Sequence, residues 1–189
     1  MIRFAVVGDI GSGKSHVARQ FGYPVFNADN EVSKIYKKNR KFYKKIKKLF
    51  PNHRITFPLK KKHILKVIWE KPNNIKKIVK IIHPEIQHKM YEFIKKNKRK
   101  KYIMLDIPLL LENKLNKKRD ILIFIDAQNK EIIKRLKKRK NYNPKIINIL
   151  KKLQLPLEIK RKKSNFVIKN NFNNDSIKKS VKNLLKQFN

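Results

Sequence analysis

Short apolar runs alternate along this chain with longer stretches whose apolar residues recur at helical spacing. Ile2 to Val7 is the first run, and it predicts a buried strand. Beyond it, Val17, Ala18 and Phe21 fall on one helix face. Tyr23-Pro24-Val25-Phe26 predicts a second strand, and Asn30 to Tyr36 returns to helical spacing. From about 37 to 100 the pattern is helical. Phe42, Ile46, Leu49 and Phe50 mark a helix broken at Pro51-Asn52-His53. Ile64, Leu65, Ile68 and Trp69 mark another, stopped near Pro72, with Trp69 assigned to the core. Ile75, Ile78, Val79 and Ile82 mark a third that ends at His83-Pro84, and Ile86, Met90, Phe93 and Ile94 a fourth. Lysines fill the outward faces.

Tyr102 to Asp106 and Asp120 to Asp126 are the next apolar runs, each ending in an aspartate. Lys130 to Lys140 reads as a helix through Ile132, Ile133 and Leu136. Asn141-Tyr142-Asn143-Pro144 suggests a hinge. Lys145 to Lys163 is a basic helical stretch, interrupted around Leu155-Pro156. Phe166-Val167-Ile168 is a last short strand, and Ser176 to Phe188 closes as an amphipathic helix. Strands alternating with helices predict an α/β fold, with a parallel sheet of about five strands and helices on both faces. The whole chain, 1–189, reads as one domain. A helical insertion at about 37–100, too long for a simple crossover, would cover a substrate, and a lid would occupy about 139–163.

Composition narrows the chemistry. Cysteine is absent, which excludes disulfides, thiolate metal sites and cysteine nucleophiles. No apolar run approaches the roughly 20 residues a membrane span requires. Met1-Ile2-Arg3 leads straight into the first strand, so the expectation is a cytoplasmic protein without a signal peptide. Lys and Arg number 51 against 13 Asp and Glu, a net charge of +38. Such charge suits a polyanionic partner. Yet the lysines are dispersed, and lysine, asparagine and isoleucine, all with A/T-rich codons, dominate together. Biased composition therefore accounts for the charge, with weak, non-specific nucleic-acid binding as its by-product.

Gly8-Asp9-Ile10-Gly11-Ser12-Gly13-Lys14-Ser15 changes the picture most. It fits G-x-x-x-x-G-K-[ST] between a predicted strand and a predicted helix, the context a phosphate-binding P-loop needs. Three of the chain's four glycines lie in it. Glycines let backbone N–H groups turn toward phosphate oxygens, and the helix start adds its positive dipole end. Gly11, Ser12, Gly13, Lys14, Ser15 and His16 would cradle the phosphates of ATP. Lys14 would reach the β- and γ-phosphates, and Ser15 would bind Mg²⁺. Asp106, at the end of an apolar strand, matches the second signature of such enzymes, a carboxylate that holds Mg²⁺. Asp29 follows the second strand, where ligands bind in parallel sheets. It is equally a candidate general base and a helix N-cap. Arg135 and Arg139, four apart, would share a helix face and could bind phosphate bidentately.

Taken in order, these motifs resemble the dephospho-coenzyme A kinase family over nearly the whole chain. The family's Gly-Ser-Gly-Lys-Ser/Thr is Gly11 to Ser15, and its Asp-Ala-Asp is Asn27-Ala28-Asp29. Its His-Pro pair is His83-Pro84, and its Pro-Leu-Leu-x-Glu is Pro108-Leu109-Leu110-Leu111-Glu112. Its Arg-Leu-x-x-Arg is Arg135 to Arg139, and its Val-Ile-x-Asn is Val167 to Asn170. The resemblance implies a three-layer P-loop kinase fold and phosphorylation of the 3′-hydroxyl of dephospho-CoA by ATP with Mg²⁺. Asp29 would be the base, with Lys14 and Arg139 also catalytic. Arg135 and Asn170 would join the nucleotide site, and His83, Pro108, Leu109 and Glu112 would contact substrate. The chain departs from the family pattern at Asp9, Asn27 and Phe172, where glycine, aspartate and glycine are usual. It also departs at Asn165, in a shorter link from Phe21 to Val25, and around Lys60-Lys61-Lys62. A nucleoside or nucleotide kinase on the same scaffold, and a basic nucleic-acid-binding P-loop protein, remain the alternative readings.

Overall fold

Five apolar runs pair side by side and in parallel in a computed structural model that describes residues 1–139 and 142–188. In chain order the elements are β1 (Ile2–Gly8), α1 (Lys14–Gln20), β2 (Val25–Asn27), α2 (Ala28–Lys38) and α3 (Arg40–Leu49). Then come α4 (Lys61–Glu70), α5 (Asn74–Lys96), β3 (Tyr102–Asp106), β4 (Ile121–Asp126) and α6 (Asn129–Lys137). The chain ends with α7 (Pro144–Lys151), α8 (Leu157–Lys162), β5 (Phe166–Lys169), α9 (Asn174–Leu185) and a 3₁₀ turn, Lys186–Phe188. They form two compact units, Met1–Asn27 with Lys96–Asn189, and Ala28–Lys95.

The first unit holds the sheet, in the order β2-β3-β1-β4-β5. Every pairing is parallel, and β1, β3 and β4, buried along nearly their whole length, read as continuous apolar runs, whereas the edge strand β5 leaves Val167 exposed. Phe4, Val6, Tyr102, Met104, Ile123, Ile125 and Ile168 form one face. They pack with Val17 and Ala18 of α1 and with Ile177, Val181 and Leu184 of α9. The Phe188 ring meets Phe4 edge-on at 5.1 Å. On the opposite face the Arg161 guanidinium of α8 lies 6.0 Å from the Phe124 ring centre. At the amino end of the strands, Arg3 donates from Nε and Nη2 to the two Asp120 carboxylate oxygens, at 2.6 Å each. The Lys117 N–H donates to Oδ2 as well, so this buried ion pair is fully engaged and serves structure. The carboxyl ends of the strands are thereby left for chemistry.

The second unit contains α2 to α5 up to Lys95. Two expectations fail here. The helix does not stop at His83-Pro84, because α5 runs through Pro84. An interior proline costs about 3 kcal/mol. Ile75, Ile78, Ile86 and Met90 form one buried stripe across it, and each such side chain contributes about 1.5–3 kcal/mol on burial. The continuous stripe wins. Trp69 is not core: it is 47% exposed, because α4 turns Ile64, Val67 and Ile68 inward instead.

Two boundaries also differ. α2 starts at Ala28, which puts Asp29 in the first helical turn and not at the N-cap. α6 ends at Lys137, so Arg139 lies past the C-cap residue Lys138 and shares no helix face with Arg135. Of the expected hinge, Asn141 lies outside the described residues.

Candidate active site

The carboxyl ends of β1, β2, β3 and β4 place Gly8, Asn27, Asp106 and Asp126 along one edge of the sheet. The loop after β1 is the P-loop. Gly13 caps α1 with φ 86° and ψ 19°, in the left-handed region that suits glycine. Its carbonyl accepts the His16 and Val17 N–H groups at 3.0 Å. A side chain at Gly13 would run into the Asn170 amide, so the loop needs glycine for space as well. Lys14 arches back over the loop and donates from Nζ to the Asp9 carbonyl at 2.6 Å and the Gly8 carbonyl at 3.3 Å. The Asp9 carbonyl also accepts the Ser12 N–H at 3.2 Å.

Asn170 anchors this loop from the far end of the sheet. Its Nδ2 donates to the Ser12 carbonyl at 2.7 Å, and its Oδ1 accepts the Phe172 N–H at 2.8 Å. The residue is 3% exposed, so its expected place at the nucleotide site is beneath the loop backbone. Phe172 has φ 64°, the conformation that favours the glycine expected there. Its ring carries the Arg135 guanidinium at 4.4 Å, within cation–π range. Arg135 on α6 is thus brought to the P-loop's flank, where Ile132 and Leu136 of the same helix lie against Gly11. Arg139 is exposed.

Ser15 and Asp106 meet through a residue that sequence reading marked only as a departure. Asn27 and Asp106 are register partners across β2 and β3. Asn27 Nδ2 donates to Asp106 Oδ2 and lies 3.5 Å from Ser15 Oγ. A hydroxyl and a carboxylate on one amide make an oxygen-rich set, and such sets suit Mg²⁺, which keeps several waters of its own. Asp106 is 3% exposed.

Residues 107 to 115 follow the carboxyl end of β3 as a series of turns. Leu109 has φ 58°, a strained conformation for a γ-branched side chain. Pro108 beside it is exposed. Glu112 Oε1 accepts Lys160 Nζ at 2.8 Å and the Leu155 N–H at 2.9 Å. Its carboxylate thereby ties α8 and the residues before it to the loop after β3. Lys160 is 3% exposed. In so lysine-rich a chain, no sequence signal separates this buried lysine from the solvated ones.

In the helical unit, Asp29 and Tyr36 lie on α2. Burial pushes the Tyr36 hydroxyl up to about 12, and the negative Asp29 carboxylate adds to the shift. His83 on α5 has a buried Nε2 with no hydrogen-bond partner among the described residues. The unit also contains a cavity of about 540 Å³ lined by Arg54, Lys62, Lys66, His53, His63 and Glu70 among others. Burial, then Lys62 and Lys60, hold His63 below the usual histidine range. Among the described residues, no group of three or more His, Asp or Glu could hold a metal by itself.

A family model described as dephospho-CoA kinase matches residues 2–176. The chain belongs to the dephospho-CoA kinase family. A dephospho-CoA kinase of Wolbachia pipientis is 30% identical over 98% of this chain and 97% of its own. A crystal structure of a Thermus thermophilus protein superposes with a TM-score of 0.76 at 24% identity, covering 100% of this chain and 98% of that one. A Campylobacter jejuni dephospho-CoA kinase gives a TM-score of 0.63 at 22% identity, covering 98% and 96%. The fold is thus that of the P-loop kinases, and the chain is a kinase, a phosphotransferase that uses ATP. Among the described residues, no helix is long and apolar enough to cross a membrane.

Proposed function

We propose that this cytoplasmic kinase transfers the γ-phosphoryl group of ATP to the 3′-hydroxyl of dephospho-CoA, giving coenzyme A and ADP. Membership of the dephospho-CoA kinase family supports the acceptor. The observation that carries the chemistry is the set of Lys14, Ser15, Asn27 and Asp106 at one sheet edge. Gly11 to His16 receive the phosphates, and Lys14 leaves the loop carbonyls for the β- and γ-phosphates. Ser15 and Asp106 would hold Mg²⁺, with Asn27 orienting both. When bound, the ion neutralises charge on the β- and γ-phosphate oxygens.

Asp29 takes the proton of the 3′-hydroxyl as its oxygen bonds to the γ-phosphorus. The bond from that phosphorus to the β–γ bridging oxygen breaks, and ADP leaves with the electron pair. Arg139 and Arg135 supply guanidinium groups to the phosphate oxygens. His83, whose Nε2 lacks a partner, has a hydrogen-bonding position to offer the acceptor. Pro108 and Leu109 shape the acceptor side of the sheet edge. Glu112 supports it by holding Lys160 and the Leu155 amide. Positioning and charge neutralisation carry most of the rate in such transfers.

The test is purified protein with ATP and Mg²⁺ against dephospho-CoA, deoxyadenosine, other nucleosides and shikimate. ADP should form with dephospho-CoA, and the product should be coenzyme A. Turnover of a nucleoside in its place would favour a nucleoside kinase on the same scaffold.

A further inference from the structure

A carboxylate inside a loop built to receive phosphate is an electrostatic contradiction, and Asp9 is such a carboxylate. The residue is 8% exposed. Both side-chain oxygens are engaged. Oδ1 accepts the N–H of Ile10 at 2.6 Å, and Oδ2 is 2.9 Å from Lys151 Nζ. Lys151 is the last residue of α7. Its side chain is 38% exposed, against 10% for Asp9, so the pair stands at the loop's surface with the acid on the inner side. The main-chain carbonyl of the same aspartate accepts Lys14 Nζ. One residue therefore joins the P-loop lysine, a loop amide and the end of α7.

We infer that Lys151 is a further phosphate-loop residue: it neutralises Asp9 and, through that ion pair, docks α7 on the loop, so that nucleotide affinity depends on α7. The inference rests on the P-loop being the ATP site. Where the acid of an ion pair is the buried partner, removing its cation costs more than removing both, because a lone inner charge is left behind. A lone Asp9 carboxylate would repel the polyphosphate that the loop amides and Lys14 attract. With Lys151 in place, the loop's own acid is cancelled. The same contact makes α7 a part of the nucleotide site, although no α7 side chain belongs to the P-loop motif.

The test is a double-mutant cycle of Lys151→Ala, Asp9→Asn and the pair together. Asp9→Asn keeps an oxygen for the Ile10 N–H while removing the charge. Affinity for a non-hydrolysable ATP analogue is read by calorimetry, without acceptor. Hydrogen exchange over residues 144–151 is read in the same proteins. Lys151→Ala should weaken nucleotide binding by about fivefold or more, the usual scale of such coupling. Lys151→Arg should restore it. In the Asp9→Asn background, Lys151→Ala should add little. Exchange over α7 should quicken in both single variants, and no further in the double. Equal losses from Lys151→Ala in both backgrounds, or unchanged affinity together with unchanged exchange, would overturn the inference. Should the unmutated protein fail to bind the analogue, the ATP reading itself falls, and the exchange data alone decide whether the pair holds α7.

Discussion

Asn27 donates its side-chain amide to the carboxylate of Asp106, its register partner on the neighbouring parallel strand. The same nitrogen is 3.5 Å from Ser15 Oγ, so one amide holds the two oxygen ligands proposed for Mg²⁺. Asn27→Asp would replace this donor by a second carboxylate beside a buried one. Like charges at contact disfavour ionisation of both. The variant should melt lower than the unmutated protein without metal, and Mg²⁺ should raise its melting temperature more. Thermal melts across a Mg²⁺ series check this. Equal Mg²⁺ responses in the two proteins would remove Asn27 and Asp106 from the metal site.

Asn170 should act on nucleotide affinity through the backbone. Asn170→Ala leaves the Ser12 carbonyl without its 2.7 Å donor. An unsatisfied buried group costs about 1–3 kcal/mol. Because the bond lies under the loop, ATP affinity should fall about tenfold, a loss within that range. Calorimetric titration reads it directly. A lower melting temperature with unchanged ATP affinity would make the bond purely structural.

Asp29 separates base from cap. The structure places it in the first turn of α2, so Asp29→Asn alters helix stability little. Loss of the proton acceptor should lower kcat by on the order of 10²–10⁴. ATP affinity should hold. A normal kcat for the variant would leave the transfer without its base.

Much of this was legible in the sequence. The P-loop, the five strands and the aspartate ending β3 all follow from local pattern, because a parallel strand buried on both faces must be a continuous apolar run. What was not legible depends on pairs distant in sequence. Asn170 and Ser12 are 158 residues apart, and only the closed sheet brings them together. Lys151 and Lys160 look like every other lysine until Asp9 and Glu112 are found beside them. Phe172 is informative for its backbone angle, which its side-chain type conceals. At Pro84 a local rule pointed the wrong way, because the stop signal took no account of the buried stripe on either side.

Stability at high pH should report the packing of α2. Burial, with the Asp29 charge, raises Tyr36 from 10.0 to about 12 in the folded protein. The folded state therefore holds the phenol proton more tightly than the unfolded one. Its contribution is fully present below pH 10.0 and lost as pH rises toward about 12. A shift of this size corresponds to roughly 3 kcal/mol. Tyr36→Phe cannot titrate, so between these limits its stability should fall less steeply with pH than that of the unmutated protein. Denaturant midpoints at several alkaline pH values check this. Parallel slopes would mean that Tyr36 is not held as the structure shows.

The central claim is that the P-loop edge of this sheet phosphorylates dephospho-CoA on its ribose. The most direct measurement follows label from γ-radiolabelled ATP into dephospho-CoA, comparing the unmutated protein with Lys14→Ala. Label should appear at the 3′ position with the unmutated protein. With Lys14→Ala the rate should be lower by on the order of 10²-fold or more, the scale for removing one charge-stabilising donor. Label that never reaches dephospho-CoA, or that reaches it equally fast without Lys14, would contradict the claim.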